Sequence, residues 1–413
     1  MNSAVVNPAP SAELRAATAH LDAPFNVIDL DRARANLHDL IDRAAGKPLR
    51  IATKSVRLKN LLIDVLGHDS VTGLMAATLD EALWLHAEGV SDDIVVAYPT
   101  VTRSALQKLV SNAAARAAIT VMVDSVAHLD LIGEQVTAAY SESSGEPLPS
   151  VQVCLDIDCA YSFSGARFGA LRSPVRTMSD VARLVSALVR RPYLQLVGVM
   201  GYESQIAGVG DAGASARAAV IRTMQKASRK DVAERRAALV TGVEALLRAH
   251  EKPPLRFVNG GGTGSIESTA AEDAVTEIAA GSGILSAPLF DTYTSFQARP
   301  AQWFVLPVLR IPARDVATVY GGGRIASGPA NPDRLPTPVF PAGLKFARDE
   351  GPGEVQTPLL GAAANDLSIG DHVWFRHTKA GEGFEFTNQV HVFSGGTLID
   401  QWPTYRGEGI ELS

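Results

Sequence analysis

Short apolar runs recur from residue 25 to about residue 280, and most are separated by stretches with apolar residues at helical spacing. An apolar run of strand length between helical stretches reads as a strand buried on both faces of a parallel sheet. The first run is Phe25–Asp29, followed by a helical pattern from Asp31 to about Ala45 with Asp31 near its N-cap. Eight more follow: Leu49–Thr53, Val71–Ala76, Asp93–Ala97, Ile119–Val123, Val151–Asp156, Leu194–Met200, Leu255–Val258 and Val275–Ala279. Helical patterns such as Leu79–Glu88 and Met178–Arg190 fall between them. Eight successive strand–helix units predict an α/β fold, a closed (β/α)8 barrel of the TIM type, over an open doubly wound sheet.

After Asp291 the pattern changes. Residues 299–413 are rich in Pro and Gly and carry short β-like segments at Trp303–Ile311, Asp371–Arg376, Gln389–Phe393 and Thr397–Ile399. This predicts three parts: a leader over residues 1–24, a barrel over 25–298 and a C-terminal β domain over 299–413. The strand Phe25–Asp29 is a candidate to join the β domain.

Composition narrows the class. Of 413 residues, 46% are hydrophobic and 20% charged, as in a soluble globular enzyme, and 413 residues exceed one ordinary domain. A net charge of −6 argues against a nucleic-acid partner. The basic cluster Lys226, Arg229, Lys230, Arg235 and Arg236 is interleaved with Asp231 and Glu234 and reads as a solvated helix face. Two cysteines, Cys154 and Cys159, exclude a disulfide framework and read as reduced and packed. No secretory signal and no membrane-length apolar run occurs, which makes a cytoplasmic protein the expectation.

Barrel active sites lie at the C-terminal ends of the strands, and phosphate is often held by the loops after strands seven and eight. The first barrel strand runs into Lys54. A lysine amine that is desolvated there can attack a carbonyl and form a Schiff base. The seventh strand is followed by Asn259-Gly260-Gly261-Gly262-Thr263-Gly264-Ser265 and the eighth by Gly281-Ser282-Gly283. Bare glycines let backbone N–H groups approach an anion, and Thr263, Ser265 and Ser282 add hydroxyls. A lysine facing a phosphate cradle suggests pyridoxal phosphate. A phosphate-binding barrel in which Lys54 is incidental is the bland alternative. Arg167, after the fifth strand, is a candidate partner of the cofactor's phenolate oxygen, and Tyr202, at the end of the sixth, can stack on or bond to its ring. Asp156 and Asp158 are expected in a supporting role.

With these motifs the chain resembles the fold-type III pyridoxal-phosphate enzymes, within the alanine-racemase barrel superfamily, and nearest the D-threonine aldolase and D-serine dehydratase group. The likeness runs over nearly the whole chain. It is carried by Pro24–Asp31 with Asn36, by Thr53-Lys54, by Arg167-Phe168-Gly169 and by Gly260–Gly264. Actinobacterial proteins described as amino-acid deaminase/aldolase are similar too, including Trp374–His377 and Pro403–Gly409.

The resemblance implies a lyase acting on D-β-hydroxy amino acids through a Lys54 Schiff base. An amino-acid racemase or a non-catalytic cofactor carrier is the alternative, although carriers lack the β domain. It implies a homodimer, a small amino-acid substrate, and cofactor contacts from Arg167, Tyr202, Gly262, Thr263, Gly264, Gly281, Ser282 and Gly283. His377 is implied as a catalytic group or as a ligand of a divalent Mn or Zn ion. The second ligand position of that group reads Lys379, which cannot ligate a metal while protonated, with Glu382 or Glu385 as substitutes. At Gly283 the aldolases tend to carry an aromatic residue.

Overall fold

The structure is a computed structural model that describes residues 7–142 and 148–412. Eight parallel strands close into a barrel in chain order: Leu49–Ala52, Val71–Ala76, Ile94–Val96, Ile119–Val123, Val151–Asp156, Leu194–Gly201, Phe257–Gly260 and Glu277–Ala280. The eighth strand closes on the first with Ile278 opposite Leu49 and Ala280 opposite Ile51. The barrel interior is filled by Met75, Val95, Met122, Cys154, Val197, Met200 and Phe257. Cys154 and Cys159 are buried and unpaired.

The strand Phe25–Asp29 belongs to the other domain. It runs antiparallel to Gln302–Ala313 and parallel to Gln389–Ser394, inside a nine-stranded sheet that also takes in His372–Arg376 and Thr397–Pro403. The strands Val316–Tyr320, Thr337–Phe340, Lys345–Phe346 and Gln356–Leu360 complete that sheet. All five residues of Phe25–Asp29 are buried, so the chain enters the barrel through the core of the C-terminal sheet. Three positions differ from the sequence reading. Asp29, not Asp31, caps the helix Leu30–Arg43, accepting from the Arg32 N–H at 2.9 Å, because Asp31 in the first turn instead binds Ser394. Within the expected leader, Ala12–Thr18 is a helix whose Leu14 is fully buried against Phe25 and Trp303. Residues 1–6 of that leader lie outside the described residues.

The third difference is the basic helix, Ala216–Ala249. Lys226, Arg229 and Lys230 do face solvent. Arg236 is fully buried and bridges Glu203 and Glu272, at 2.7 Å each. Arg235 binds the Asp158 carbonyl and Asp231. Two carboxylates compensate the charge of this buried arginine, whereas removing one partner of such a pair costs about 3–5 kcal/mol. Glu203 also accepts from Ser265 Oγ at 2.9 Å and from Thr269. Arg236 therefore ties the sixth-strand end to the glycine loop after the seventh.

Candidate active site

A cavity of about 560 Å³ opens at the C-terminal ends of the barrel strands, with residues of the C-terminal domain forming one wall. Lys54 faces it from a short 3-10 turn, Thr53–Ser55, that follows the first strand. The turn is pinned from below: Thr53 Oγ1 donates to the Met75 carbonyl at 3.1 Å, and the Val56 N–H to the Thr53 carbonyl at 2.8 Å. It is pinned from above by Gly381, whose φ is +75°. A Cβ there would lie 2.7 Å from the Lys54 carbonyl oxygen and 2.6 Å from the Ser55 carbonyl carbon. The C-terminal domain thus packs backbone against backbone on the Lys54 turn. The tail adds Tyr405, whose N–H donates to the Arg57 carbonyl at 3.1 Å and whose buried ring stands edge-on to Trp84.

Lys54 Nζ donates to Tyr98 Oη at 3.0 Å. Burial works to raise the Tyr98 phenol pKa, but the ammonium of Lys54 and then the charge of Arg172 outweigh it, and the net shift is downward. Arg172 stands 5.1 Å from the Tyr98 ring centre, binds Asp156 at 2.9 Å and donates to the Ala97 carbonyl at 2.9 Å. Burial pushes Asp156 up to about 6 against the opposing pull of Arg172.

The glycine loops form the floor. Gly261, Gly262, Thr263, Gly281 and Ser282 line the cavity. A Cβ on Gly262 would stand 2.8 Å from Ala207 Cβ and 3.1 Å from the Tyr202 ring, and one on Gly281 would stand 2.5 Å from the Ala52 carbonyl. Neither position has room for a side chain, so backbone faces the cavity there. Ser282 Oγ and Ser55 Oγ are 2.9 Å apart, linking the eighth-strand loop to the lysine turn. Asn36 anchors this corner, donating to the carbonyls of Ile284 and Arg299 at 2.9 and 2.7 Å. Tyr202 lines the cavity, and burial raises its phenol to about 12, so it stays protonated at neutral pH. Asn259 also lines it, held by Glu277 through Nδ2 at 2.9 Å while its Oδ1 has no hydrogen-bond partner among the described residues.

Not every expected residue reaches the cavity. Arg167 lies on a small exposed hairpin, Tyr161–Phe163 with Ala166–Phe168, and pairs with buried Asp158 at 2.8 Å; Arg172 occupies the cavity wall instead. Gly264 packs on the Tyr293 ring. Gly283 lies beneath the loop, its N–H donating to Thr263 Oγ1 at 3.0 Å, and leaves no space between Leu40 and Thr263 for a larger residue. His377 sits behind the wall formed by Lys379, Ala380 and Glu382. Its Nδ1 meets the Lys379 N–H at 3.2 Å, its Nε2 is buried without a partner among the described residues, and burial lowers its pKa.

The donor set around His377 does not fit a divalent metal. Lys379 Nζ stands there, donating to Ser327 Oγ at 2.7 Å with Glu382 at 3.8 Å. Glu382 is engaged by Ser327, and Glu385 by Arg57. Among the described residues, no group of three or more His, Cys, Asp or Glu side chains converges on a metal position.

A barrel closed by eight strand–helix units, a lysine at the first strand end, glycine loops at the ends of the neighbouring seventh and eighth strands and a β domain forming one wall define the class, and the comparisons agree with it. Residues 28–285 match the family model described as alanine racemase, N-terminal domain. The chain belongs to that family. No curated protein matches its sequence. Among solved structures, D-threonine aldolase from Filomicrobium marinum is similar with a TM-score of 0.72 at 18% identity, over 94% of this chain and 95% of that one. D-threo-3-hydroxyaspartate dehydratase from Delftia sp. HT23 gives 0.70 at 20% identity, over 93% and 98%. Alanine racemase from Bacillus anthracis gives 0.60 at 14%, over 94% and 99%. At these identities the likeness establishes a shared fold.

Proposed function

We propose that the protein is a pyridoxal-phosphate-dependent lyase of β-hydroxy amino acids, with Lys54 as the residue that carries the cofactor. The observation that carries this reading is the placement of Lys54 Nζ in a cavity floored by Gly261–Thr263 and Gly281–Ser282. The residues fit the cofactor: two backbone stretches where a Cβ is excluded, with the hydroxyls of Thr263 and Ser282, suit a phosphate, and the Lys54 side chain lines the same cavity. Bound pyridoxal phosphate supplies an electron sink for negative charge at the substrate Cα.

The chain's own groups do the rest. Thr263 Oγ1, fixed by the Gly283 N–H, and Ser282 Oγ would hold the phosphate end. Tyr202 packs along Gly262 and keeps its proton, which suits a hydrogen-bond donor. Lys54 Nζ would serve as the base for a proton at the substrate Cα, with Tyr98 Oη at 3.0 Å positioned to exchange that proton with it. Arg172 holds Tyr98 in place and Asp156 holds Arg172. The C-terminal domain supplies one wall of the cavity while Lys54 and Tyr98 stay open to solvent, and that wall distinguishes this site from a bare cofactor-binding barrel.

The choice of lyase over racemase is supported by the two similar structures whose names state an aldolase and a dehydratase. We also infer a homodimer, which light scattering on the purified chain measures directly. The test of function is uptake of pyridoxal phosphate, seen as a visible absorption band, followed by assay with D-threonine and D-serine, with and without Mn²⁺ or Zn²⁺. Release of an aldehyde or a keto acid supports the lyase. Loss of optical activity without either product assigns a racemase, and failure to take up the cofactor overturns the reading.

A further inference from the structure

Five cationic side chains line the cavity, Lys54, Arg57, Arg172, Arg334 and Lys379, against one carboxylate, Glu382. Two of the five are matched by carboxylates outside the lining: Arg57 by Glu385 and Arg172 by Asp156. Lys54 is reserved by the reading above. The remaining pair, Arg334 and Lys379, share a single short wall in the C-terminal domain. That wall is braced: the Ala326 N–H donates to the Arg334 carbonyl at 2.9 Å and Thr378 Oγ1 to the Leu335 carbonyl at 2.7 Å. Arg334 Nε is buried with no hydrogen-bond acceptor among the described residues. The carboxylate nearest it, Asp333 at 3.8 Å, is itself 59% exposed. Lys379 has Glu382 at 3.8 Å, a carboxylate it shares with Ser327. Two partly buried cations with less than two full counter-charges leave a local positive excess that solvent screens poorly.

We propose that Arg334 and Lys379 form a subsite for a second anionic group on the substrate, so that the site takes amino acids whose side chain ends in a carboxylate. This rests on the cofactor-dependent reading of the same cavity and adds the substrate class to it. The subsite is distinct from the phosphate floor, which comes from the loops after the seventh and eighth barrel strands. An arginine fork and a lysine on one wall suit a carboxylate, whereas a methyl or hydroxymethyl side chain would leave the positive excess of this wall unmatched and Arg334 Nε without an acceptor. The subsite binds; it makes no bond.

The test uses holoenzyme carrying its cofactor, titrated with racemic aspartate and racemic alanine while the cofactor absorption is followed. The two ligands share an α-amino acid head and differ in the second carboxylate. Wild type is expected to bind aspartate at least tenfold more tightly. R334M and K379M are each expected to lose that preference while alanine binding stays within about twofold, and K379R is expected to retain most of it. Equal or absent binding of the two ligands by wild-type holoenzyme overturns the proposal while leaving the cofactor reading intact. Parallel loss of both ligands in the Met variants assigns the pair to the α-carboxylate and also overturns it. Loss of pyridoxal phosphate affinity in those variants would assign the pair to the phosphate. A wild-type protein that never takes up the cofactor defeats the underlying reading instead.

Discussion

Tyr98 Oη accepts a hydrogen bond from Lys54 Nζ at 3.0 Å, and Arg172 lies 5.1 Å from the same ring. A phenol between two cations is stabilised as phenolate, which is why its pKa falls despite burial. The hydrogen bond places the phenol oxygen where it can exchange a proton with the lysine. Tyr98→Phe removes that partner but keeps the ring. General acid–base groups contribute about 10²- to 10⁴-fold, so we expect kcat to drop by about 10²-fold with the cofactor still attached to Lys54. Steady-state kinetics alongside the absorption spectrum check this.

Asp156 gives a pH prediction. Its folded pKa is raised from the ordinary aspartate value of about 3.8 to about 6, chiefly by burial. A raised carboxyl contributes stability that is complete below its unfolded pKa and is lost as pH climbs through the folded one. Between pH 4 and 7 the wild type should lose on the order of 3 kcal/mol relative to Asp156→Asn, at about 1.4 kcal/mol per pKa unit. Denaturant titrations of both proteins at each pH measure it. Parallel stability curves would contradict the assignment.

Arg167 and Arg172 separate by position. Arg172→Ala should weaken substrate binding and lower kcat, since it removes the group that fixes Tyr98. Arg167→Ala breaks a pairing with Asp158 in which Arg176 also takes part, and its side chain is 40% exposed. We expect that variant to keep its kinetic constants within about threefold and to lose no more than about 1 kcal/mol of stability. Kinetics and thermal melts on the pair decide the point.

Two glycines carry different loads. Gly262→Ala drives a Cβ to 2.8 Å from Ala207 and toward Tyr202, so the phosphate floor must shift, and the dissociation constant for pyridoxal phosphate should rise by about tenfold or more. Gly381→Ala combines a φ of +75° with backbone at 2.6 and 2.7 Å. It should cost about 1–3 kcal/mol and loosen the C-terminal wall from the Lys54 turn. Equilibrium binding of the cofactor and a melting curve distinguish the two effects.

The barrel was legible because most strand positions are buried and apolar residues dominate each strand, with interruptions such as Arg50, Thr72, Gln152 and Gln195 confined to single positions. Strand ends were less so: Asp93–Ala97 shortens to Ile94–Val96, and Val275–Ala279 becomes Glu277–Ala280, since pairing begins only where the neighbouring strand supplies a partner. The C-terminal strands Val316–Tyr320 and Lys345–Phe346 are short and flanked by glycine, and no periodicity marks them. Lys54 and the glycine loops could be read because strand ends at one barrel rim collect chemistry. The same rule applied to Ala97-Tyr98-Pro99, just past the third strand, would have found Tyr98. Arg172 had no such signal, because a hairpin and an irregular segment carry it back to the rim. Arg236 was misread as a solvated face because its carboxylate partners, Glu203 and Glu272, are distant in sequence and adjacent only in the fold.

The central claim is that Lys54 carries the cofactor. The direct measurement is borohydride reduction of the protein loaded with pyridoxal phosphate, followed by digestion and peptide mass mapping, with Lys54→Ala alongside. The account predicts one pyridoxyl-phosphate mass increment, on the peptide containing Lys54, and none at the corresponding peptide of the variant. An increment on another lysine, or no increment on a protein that is otherwise folded, would contradict it.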